Sequence, residues 1–342
     1  QRVLHAYGLT GVRVTGRYKS DIYTAGGAPG RDMSGSFSTF RLLRGMRERG
    51  ELTLRFHLML RGINAPGRGG ETLRQIRAAG LRPDEGDSWV RIGGVKLLVD
   101  GGFEGGHYSQ PYTEPWGRRG SYFGLEIVPR EEFTRTVREL HAAGWRITTH
   151  AVGDAAIDQV LQAYRAADLD QSLAGRRWAI EHAFIARPEQ IAEVKRLGIH
   201  LSVQNHLYIA APAFRNYRGP PRLQRITPLR SYLAAGIPVA GGTDSEIIPV
   251  SPFLQLYHFM TRDTLREGVV GPDERVDSRE ELLRLITINY ARLTGEDASL
   301  GSIEPGKYAD FDDYLTVPAE RIPQIRARAT WVAGREVYRA TD

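Results

Sequence analysis

The sequence predicts an α/β fold of the TIM-like (β/α)8 barrel kind. Three observations carry the prediction. Short apolar runs alternate with longer segments of helical period along most of the chain. Several helical segments stop at a glycine, as at Ala143-Gly144, Leu197-Gly198 and Ala235-Gly236. No GxGxxG opens a helix after the first strand, which weighs against the runner-up architecture, a doubly wound dinucleotide-binding sheet.

The candidate strands are Gly11–Thr15, Leu52–Leu60, Val90–Val99, Trp145–His150, Trp178–His182, His200–Val203 and Ile237–Gly241. Candidate helices lie between them at Phe37–Arg49, Glu71–Ala79, Arg130–Ala143, Ala155–Ala167, Pro188–Leu197 and Pro228–Ala235. A TIM barrel takes eight strands, so one more is expected upstream of Gln1. Gly101–Val128 and Ile209–Arg225, rich in Gly, Pro and aromatics, read as long loops over the strand C-termini. After Asp277 come two further helices and a turn at Glu304-Pro305-Gly306. The tail Thr330–Tyr338 then reads as a strand.

Composition narrows the function classes. The chain has 342 residues, 41% hydrophobic, which suits a globular protein with a sizeable core. No apolar run approaches the ~20 residues of a membrane span, and no signal peptide is visible. There are no cysteines, so disulfides and thiolate metal sites are excluded. The net charge of +6 comes from scattered arginines. The one tight group, Arg44, Arg47 and Arg49, lies among glutamates on an amphipathic helix, a solvated surface and not a nucleic-acid patch.

Four polar residues stand at or near strand ends: Lys96, His150, His182 and Asp244. In a parallel barrel those ends share one face, so residues far apart in sequence can meet there. Imidazole and carboxylate are the ligands of catalytic Zn²⁺ and similar ions. A desolvated Lys96 amine can react with CO2, and the resulting carbamate has two oxygens able to bridge two cations. Each residue alone has a plainer reading. A histidine at a strand end is commonly a hydrogen-bonded core residue, a lone lysine snorkels, and an aspartate after Gly-Thr caps a helix. Four ligand-competent residues, each on a separate strand and in the right order, favour metal. His206 and His107 are candidates to face substrate, as are the aromatics Tyr108, Trp116 and Tyr208. Phe103 and Tyr112 add to an apolar lining. His141 reads as surface, and His5, His57 and His258 as structural. No GxSxG supports a Ser-His-Asp triad.

These residues fall in motifs that resemble a known family. The stretches are Tyr7-Gly8-Leu9-Thr10-Gly11-Val12, Gly94-Val95-Lys96-Leu97 with Asp100-Gly101-Gly102, and Thr149-His150-Ala151-Val152-Gly153-Asp154. They continue with Ile180-Glu181-His182-Ala183, Gly242-Thr243-Asp244-Ser245 and Gly301–Asp310. In this order they resemble the amidohydrolase superfamily, in its family 3 branch around N-substituted formamide deformylase.

The resemblance implies a metal-dependent hydrolase barrel over residues 1–305. Residues 306–342 would supply the C-terminal part of a small β-sandwich built from both chain ends. It implies a Lys96 carbamate between two metals, with His150 and His182 on one and Asp244 on the other. The family's His-x-His pair on the first barrel strand does not occur here. The first strand and the N-terminal half of the sandwich are therefore expected to be missing from this sequence. A second departure is Asp312-Asp313-Tyr314, which follows Ala309-Asp310-Phe311 where an apolar strand is normal.

The expected function is cleavage of an amide C–N bond, in an N-substituted formamide or a related amide, by a metal-activated hydroxide. One or two divalent ions, zinc first, and the CO2-derived carbamate would be the cofactors. Asp244 would act as general base and then acid. Two alternatives stay open: a catalytically impaired barrel that binds or regulates, and the same fold acting on a cyclic amide or ester. The expected partners are a small-molecule substrate and a second copy of the chain, with no nucleic acid and no membrane. The expected location is cytoplasmic.

Overall fold

The computed structural model of the chain describes residues 1–15, 32–245, 247–302, 304 and 312–341. Seven strands form one parallel sheet in chain order: β1 (Gly11–Thr15), β2 (Arg55–Arg61), β3 (Val90–Leu98), β4 (Ile147–Ala151), β5 (Ala179–His182), β6 (His200–Gln204) and β7 (Val239–Gly242). Each strand pairs in parallel with the next. Such an order needs a crossover after every strand. Helices such as α4 (Arg130–Ala142), α5 (Asp154–Asp170) and α6 (Pro188–Arg196) supply it, numbered after α1 (Arg2–His5), α2 (Ser34–Glu48) and α3 (Glu71–Ala78). Gly144 and Gly198 take left-handed backbone just past two of these helices and turn the chain toward the next strand.

One contact decides between a curled and an open sheet. Arg13 on β1 lies 2.5 Å from Glu181 on β5. In a flat sheet four strand spacings would separate them by about 19 Å. The sheet therefore curls until β1 faces β5 across its interior, as in a TIM-like barrel. Along β4, Thr148 points inward and bonds Glu181, Thr149 points outward and bonds Tyr164 of α5, and His150 points inward again. The outward side chains Val95, Leu97, Ile147, Ile180 and Leu201 belong to the continuous apolar core beneath the helices.

The edges β1 and β7 do not pair with each other among the described residues. A helix, Ile288–Thr294, bridges them from below. Its Asn289 side-chain amide donates to the Val239 carbonyl of β7. The Tyr290 hydroxyl stands against Gly11 of β1, 3.6 Å from where a Cβ would sit. A cavity of about 920 Å³ lies at this end, lined among others by Tyr7, Phe56, Tyr290 and Tyr314, away from the strand C-termini.

Several sequence expectations change. Ile209–Arg225 is not a loop. It lies largely in a helix, α7 (His206–Leu223), in spite of three prolines. Pro212 has no N–H for the Tyr208 carbonyl four residues back, but Leu265 N donates to that carbonyl at 2.8 Å. Gly219, with φ 74°, breaks the helix, and Pro220 and Pro221 open its second segment, where a missing N–H costs nothing. His141 is buried, not on the surface, with its ring against Trp178 and Nε2 at 2.8 Å from the Gln171 carbonyl. The tail forms two strands, β10 (Ala329–Val332) and β11 (Arg335–Arg339), after a short hairpin of β8 (Asp263–Thr264) and β9 (Gly268–Val269). The two chain ends meet: Thr330 Oγ1 donates to the His5 carbonyl and Ala327 N to that of Ala6. Pro305 and Gly306 of the expected turn, most of Gly301–Asp310 and all of Ala309-Asp310-Phe311 lie outside the described residues. No helix among those described is long and apolar enough to cross a membrane.

His258 gives the fold a measurable pH dependence. It is fully buried on the helix Pro252–Thr261, with Nδ1 on the Asp263 carbonyl. Burial first, then the Arg262 charge, pushes its pKa down to about 3. The folded value lies below the unfolded one, so the unfolded chain takes up the proton first as pH falls. The stability from the neutral ring is whole above about pH 6.5 and is lost at up to about 1.4 kcal/mol per pH unit below it. Urea unfolding of the wild type and His258→Asn will show this. The wild-type free energy should fall more steeply between about pH 6.5 and about pH 4.5, and parallel curves would contradict it.

Candidate metal centre

The strand C-termini carry the candidate residues to one mouth of the sheet. His150 stands next to the end of β4, on its inward face. His182 needs more than alternation. Glu181 points inward, so a regular strand would send His182 outward. Instead His182 has φ 75° and Ala183 φ 44°, a left-handed turn that is costly outside glycine. Tyr232 Oη donates to the Ala183 carbonyl at 2.5 Å and Thr227 N to that of Phe184 at 2.7 Å, which hold the turn. The result is that the His150 and His182 ring centres lie 4.5 Å apart, and His182 and His206 5.4 Å apart. Asp244 is left-handed too, with φ 52°, and its carboxylate meets His206 Nε2 at 3.1 Å.

His182, His206 and Asp244 each offer a ligand atom, and these atoms lie within 4.8 Å of one another. Lys96 stands on β3, in register with Thr148 and two residues before the strand end. Burial pulls its amine below the ordinary value, against the carboxylates Glu181 and Asp244, which act to raise it. Burial also lowers both histidines: His150 falls well below its usual range, helped by His182 and Lys96, and His182 falls to about 4. Both rings are therefore neutral at pH 7 and able to donate a lone pair. Burial works to raise Asp244, but the His206 hydrogen bond and the His182 ring outweigh it, and the carboxyl falls well below its usual range. The buried Nδ1 of His206 has no hydrogen-bond partner among the described residues. Neutral imidazoles, a carboxylate and an unpartnered buried nitrogen are a donor set that fits a divalent ion such as zinc.

Two residues that the sequence reading did not single out support the centre. Asp100, two residues past β3, is fully buried. It accepts from the backbone N–H of His107 at 2.9 Å, Val152 at 3.0 Å and Gly153 at 2.9 Å. Its carboxylate is also 3.5 Å from His150 Nε2, which lies 3.0 Å from the Gly101 carbonyl. Burial outweighs those donors and raises the Asp100 carboxyl to about 7. The backbone crossing is tight enough that a Cβ on Gly153 would collide with the His107 carbonyl. Gln204 ends β6 and faces His182. The signal was present for both: each is a polar residue at the end of an apolar strand.

The remaining candidates are placed otherwise. His107 meets the centre through its backbone, at Asp100. Tyr108 is buried beneath the Arg218 guanidinium, which stands 3.5 Å from its ring and equally close to Tyr112. Trp116 is half exposed against Tyr217, and Tyr208 packs on His258. Phe103 instead borders the site, with its ring 5.7 Å from that of His206.

The sequence profile described as the amidohydrolase family matches residues 6–338. The chain belongs to the amidohydrolase family. The chain is 29% identical over 258 residues to N-substituted formamide deformylase of Arthrobacter pascens, a match over 74% of the chain and 46% of that protein. It is 28% identical over 256 residues to Protein LONG AFTER FAR-RED 3 of Arabidopsis thaliana, over 73% of the chain and 43% of that protein. The chain spans about half the length of the curated relatives it matches. An uncharacterized metal-dependent hydrolase from Pyrococcus horikoshii OT3 superposes with a TM-score of 0.68 at 26% identity, covering 82% of this chain and 55% of that one. Atrazine chlorohydrolase TrzN from Arthrobacter aurescens TC1, crystallised with zinc, shares the fold with a TM-score of 0.60 at 17% identity, over 99% of this chain and 70% of its own.

Asp100 can be tested through stability. Asp100→Ala leaves three backbone N–H groups buried without their acceptor. At about 1–3 kcal/mol for each unsatisfied group, it should lower the unfolding free energy by about 3 kcal/mol or more, and Asp100→Asn by less. A near-neutral Asp100→Ala in urea titration would show that water replaces the carboxylate.

Proposed function

We propose that this chain belongs to a metal-dependent hydrolase that cleaves the C–N bond of an amide, an N-substituted formamide or a close relative. The observation that carries the reading is the convergence of His150, His182, His206 and Asp244 at the C-terminal mouth of a parallel barrel. The likeness to N-substituted formamide deformylase supports the substrate class.

His182, His206 and Asp244 would hold one divalent ion, zinc first among the candidates, with His150 beside them. A bound ion supplies Lewis acidity for a carbonyl oxygen and lowers the pKa of water toward about 7. The chain's own groups do the rest. Asp244, with its pKa held low, is ionised at neutral pH and takes a proton from the attacking water. The same carboxylate returns that proton to the departing nitrogen. His206 orients it through the 3.1 Å contact at Oδ2. Phe103 offers an apolar wall to the substituent on nitrogen.

Lys96 is proposed as a carbamate between two ions, supported by its desolvated amine. Among the described residues β1 and β7 do not pair with each other, which supports a further strand between them, and the family resemblance implies its His-x-His pair on that strand. Residues 1–305 are proposed as the barrel. Residues 306–342 are proposed as part of a small sandwich, supported by the contact between the chain ends.

The test uses the full-length protein, purified without chelator. It should contain divalent metal and hydrolyse N-substituted formamides. Asp244→Asn, assayed with its metal content restored and measured, should keep its fold and lose about 10²–10⁴-fold in kcat/KM, the usual worth of general acid–base assistance. Near-normal turnover would remove Asp244 from proton transfer. A wild type without metal or hydrolysis would leave the binding-protein reading in its place.

A further inference from the structure

A neutral imidazole presents one lone pair, and the nitrogen that carries the proton cannot ligate. Which nitrogen of His182 is free therefore decides what that ring can do, and a neighbour outside the proposed ligand set decides it. His182 Nδ1 lies 2.6 Å from Gln204 Oε1. Both side chains are buried, each about 4% exposed, so the contact is shielded from solvent.

The orientation of the Gln204 amide follows from its other end. Gln204 Nε2 is 3.1 Å from the Ser202 carbonyl, with the Ser202 hydroxyl at 3.3 Å. A backbone carbonyl only accepts, so the NH2 of the amide must face it. That leaves Oε1, also an acceptor only, facing His182. The hydrogen between Oε1 and the ring must then sit on Nδ1. The polarity passes along β6 from a main-chain carbonyl, through one side-chain amide, to the ring.

We infer that Gln204 is a positioning residue which, locked by the Ser202 carbonyl, fixes His182 in the Nδ1–H tautomer and leaves Nε2 as its metal-binding nitrogen. His150 is held in the opposite sense. Its Nε2 faces the Gly101 carbonyl, so its free nitrogen is Nδ1. Glutamine suits the position because it both donates to Ser202 and accepts from His182. Glutamate accepts from the ring but meets the Ser202 carbonyl with a second acceptor, and leucine does neither.

The metal half of this inference rests on the proposed metal centre, and the tautomer half does not. The experiment keeps them apart. In the full chain, stripped of metal and labelled with ¹⁵N-histidine, two-bond ¹H–¹⁵N spectra at about pH 8, above the ordinary histidine pKa, read the protonated nitrogen directly. Wild-type His182 should show a protonated Nδ1 and a bare Nε2. Gln204→Leu should shift the ring toward Nε2–H, and Gln204→Glu should keep Nδ1–H. Zn²⁺ affinity, measured by competition with a chelator, should fall about 10–100-fold in Gln204→Leu, the usual cost of losing such a support, and less in Gln204→Glu. A wild-type His182 carrying its proton on Nε2 overturns the inference without any variant. So does a folded Gln204→Leu with unchanged tautomer and Zn²⁺ affinity. Failure of the wild type itself to bind Zn²⁺ overturns the assignment of Nε2 as a ligand and the metal reading beneath it, while the spectra still judge Gln204.

Discussion

A carboxylate sealed inside a protein stays charged only if it is paired, and Glu181 is paired from several strands at once. Arg13 reaches it from β1 and Thr148 from β4, and Lys96 on β3 lies in its field. These partners hold its carboxyl well below the usual range against the cost of burial. Removing either member of the Arg13–Glu181 pair would leave a charge stranded in the barrel. The pair thus ties the curl of the sheet to an electrostatic demand. It also sits just beneath the mouth where the histidines gather.

Above that level the chain departs from regular strand geometry where chemistry is proposed. His182 and Asp244 both take left-handed backbone, and in each case the turn brings a side chain to the common centre. Such conformations persist only where surroundings over-determine them. Here the Tyr232 hydroxyl and Thr227 N–H hold the turn after His182, and the His206 ring holds the Asp244 carboxylate. The Asp100 carboxylate ties the loop after β3 to the turn after β4, and so joins the base of the long 101–128 loop to the His150 strand end.

That loop and α7 together roof the site. Arg218 lies between the rings of Tyr108 and Tyr112 and donates to the Phe103 carbonyl, while Arg222 donates to that of Pro111. The aromatics that looked like a substrate lining in sequence thus serve partly as the packing of the roof. Phe103 alone among them is carried to the His206 ring.

The βα alternation, the order of the strands and the strand-end residues Lys96, His150, His182 and Asp244 were all legible in the amino-acid sequence. Those features are local: side-chain period, glycine stops and a polar residue closing an apolar run are written in neighbouring positions. The folded chain puts Pro212 inside a helix, because the donor that satisfies the Tyr208 carbonyl comes from Leu265, far along the chain. It also buried His141 against Trp178, moved Tyr108 under Arg218, and made Gln204 and Asp100 part of the centre. Each of these depends on a hydrogen-bond or ring partner from another βα unit or loop. No periodicity in one segment encodes a partner that arrives only when the sheet curls.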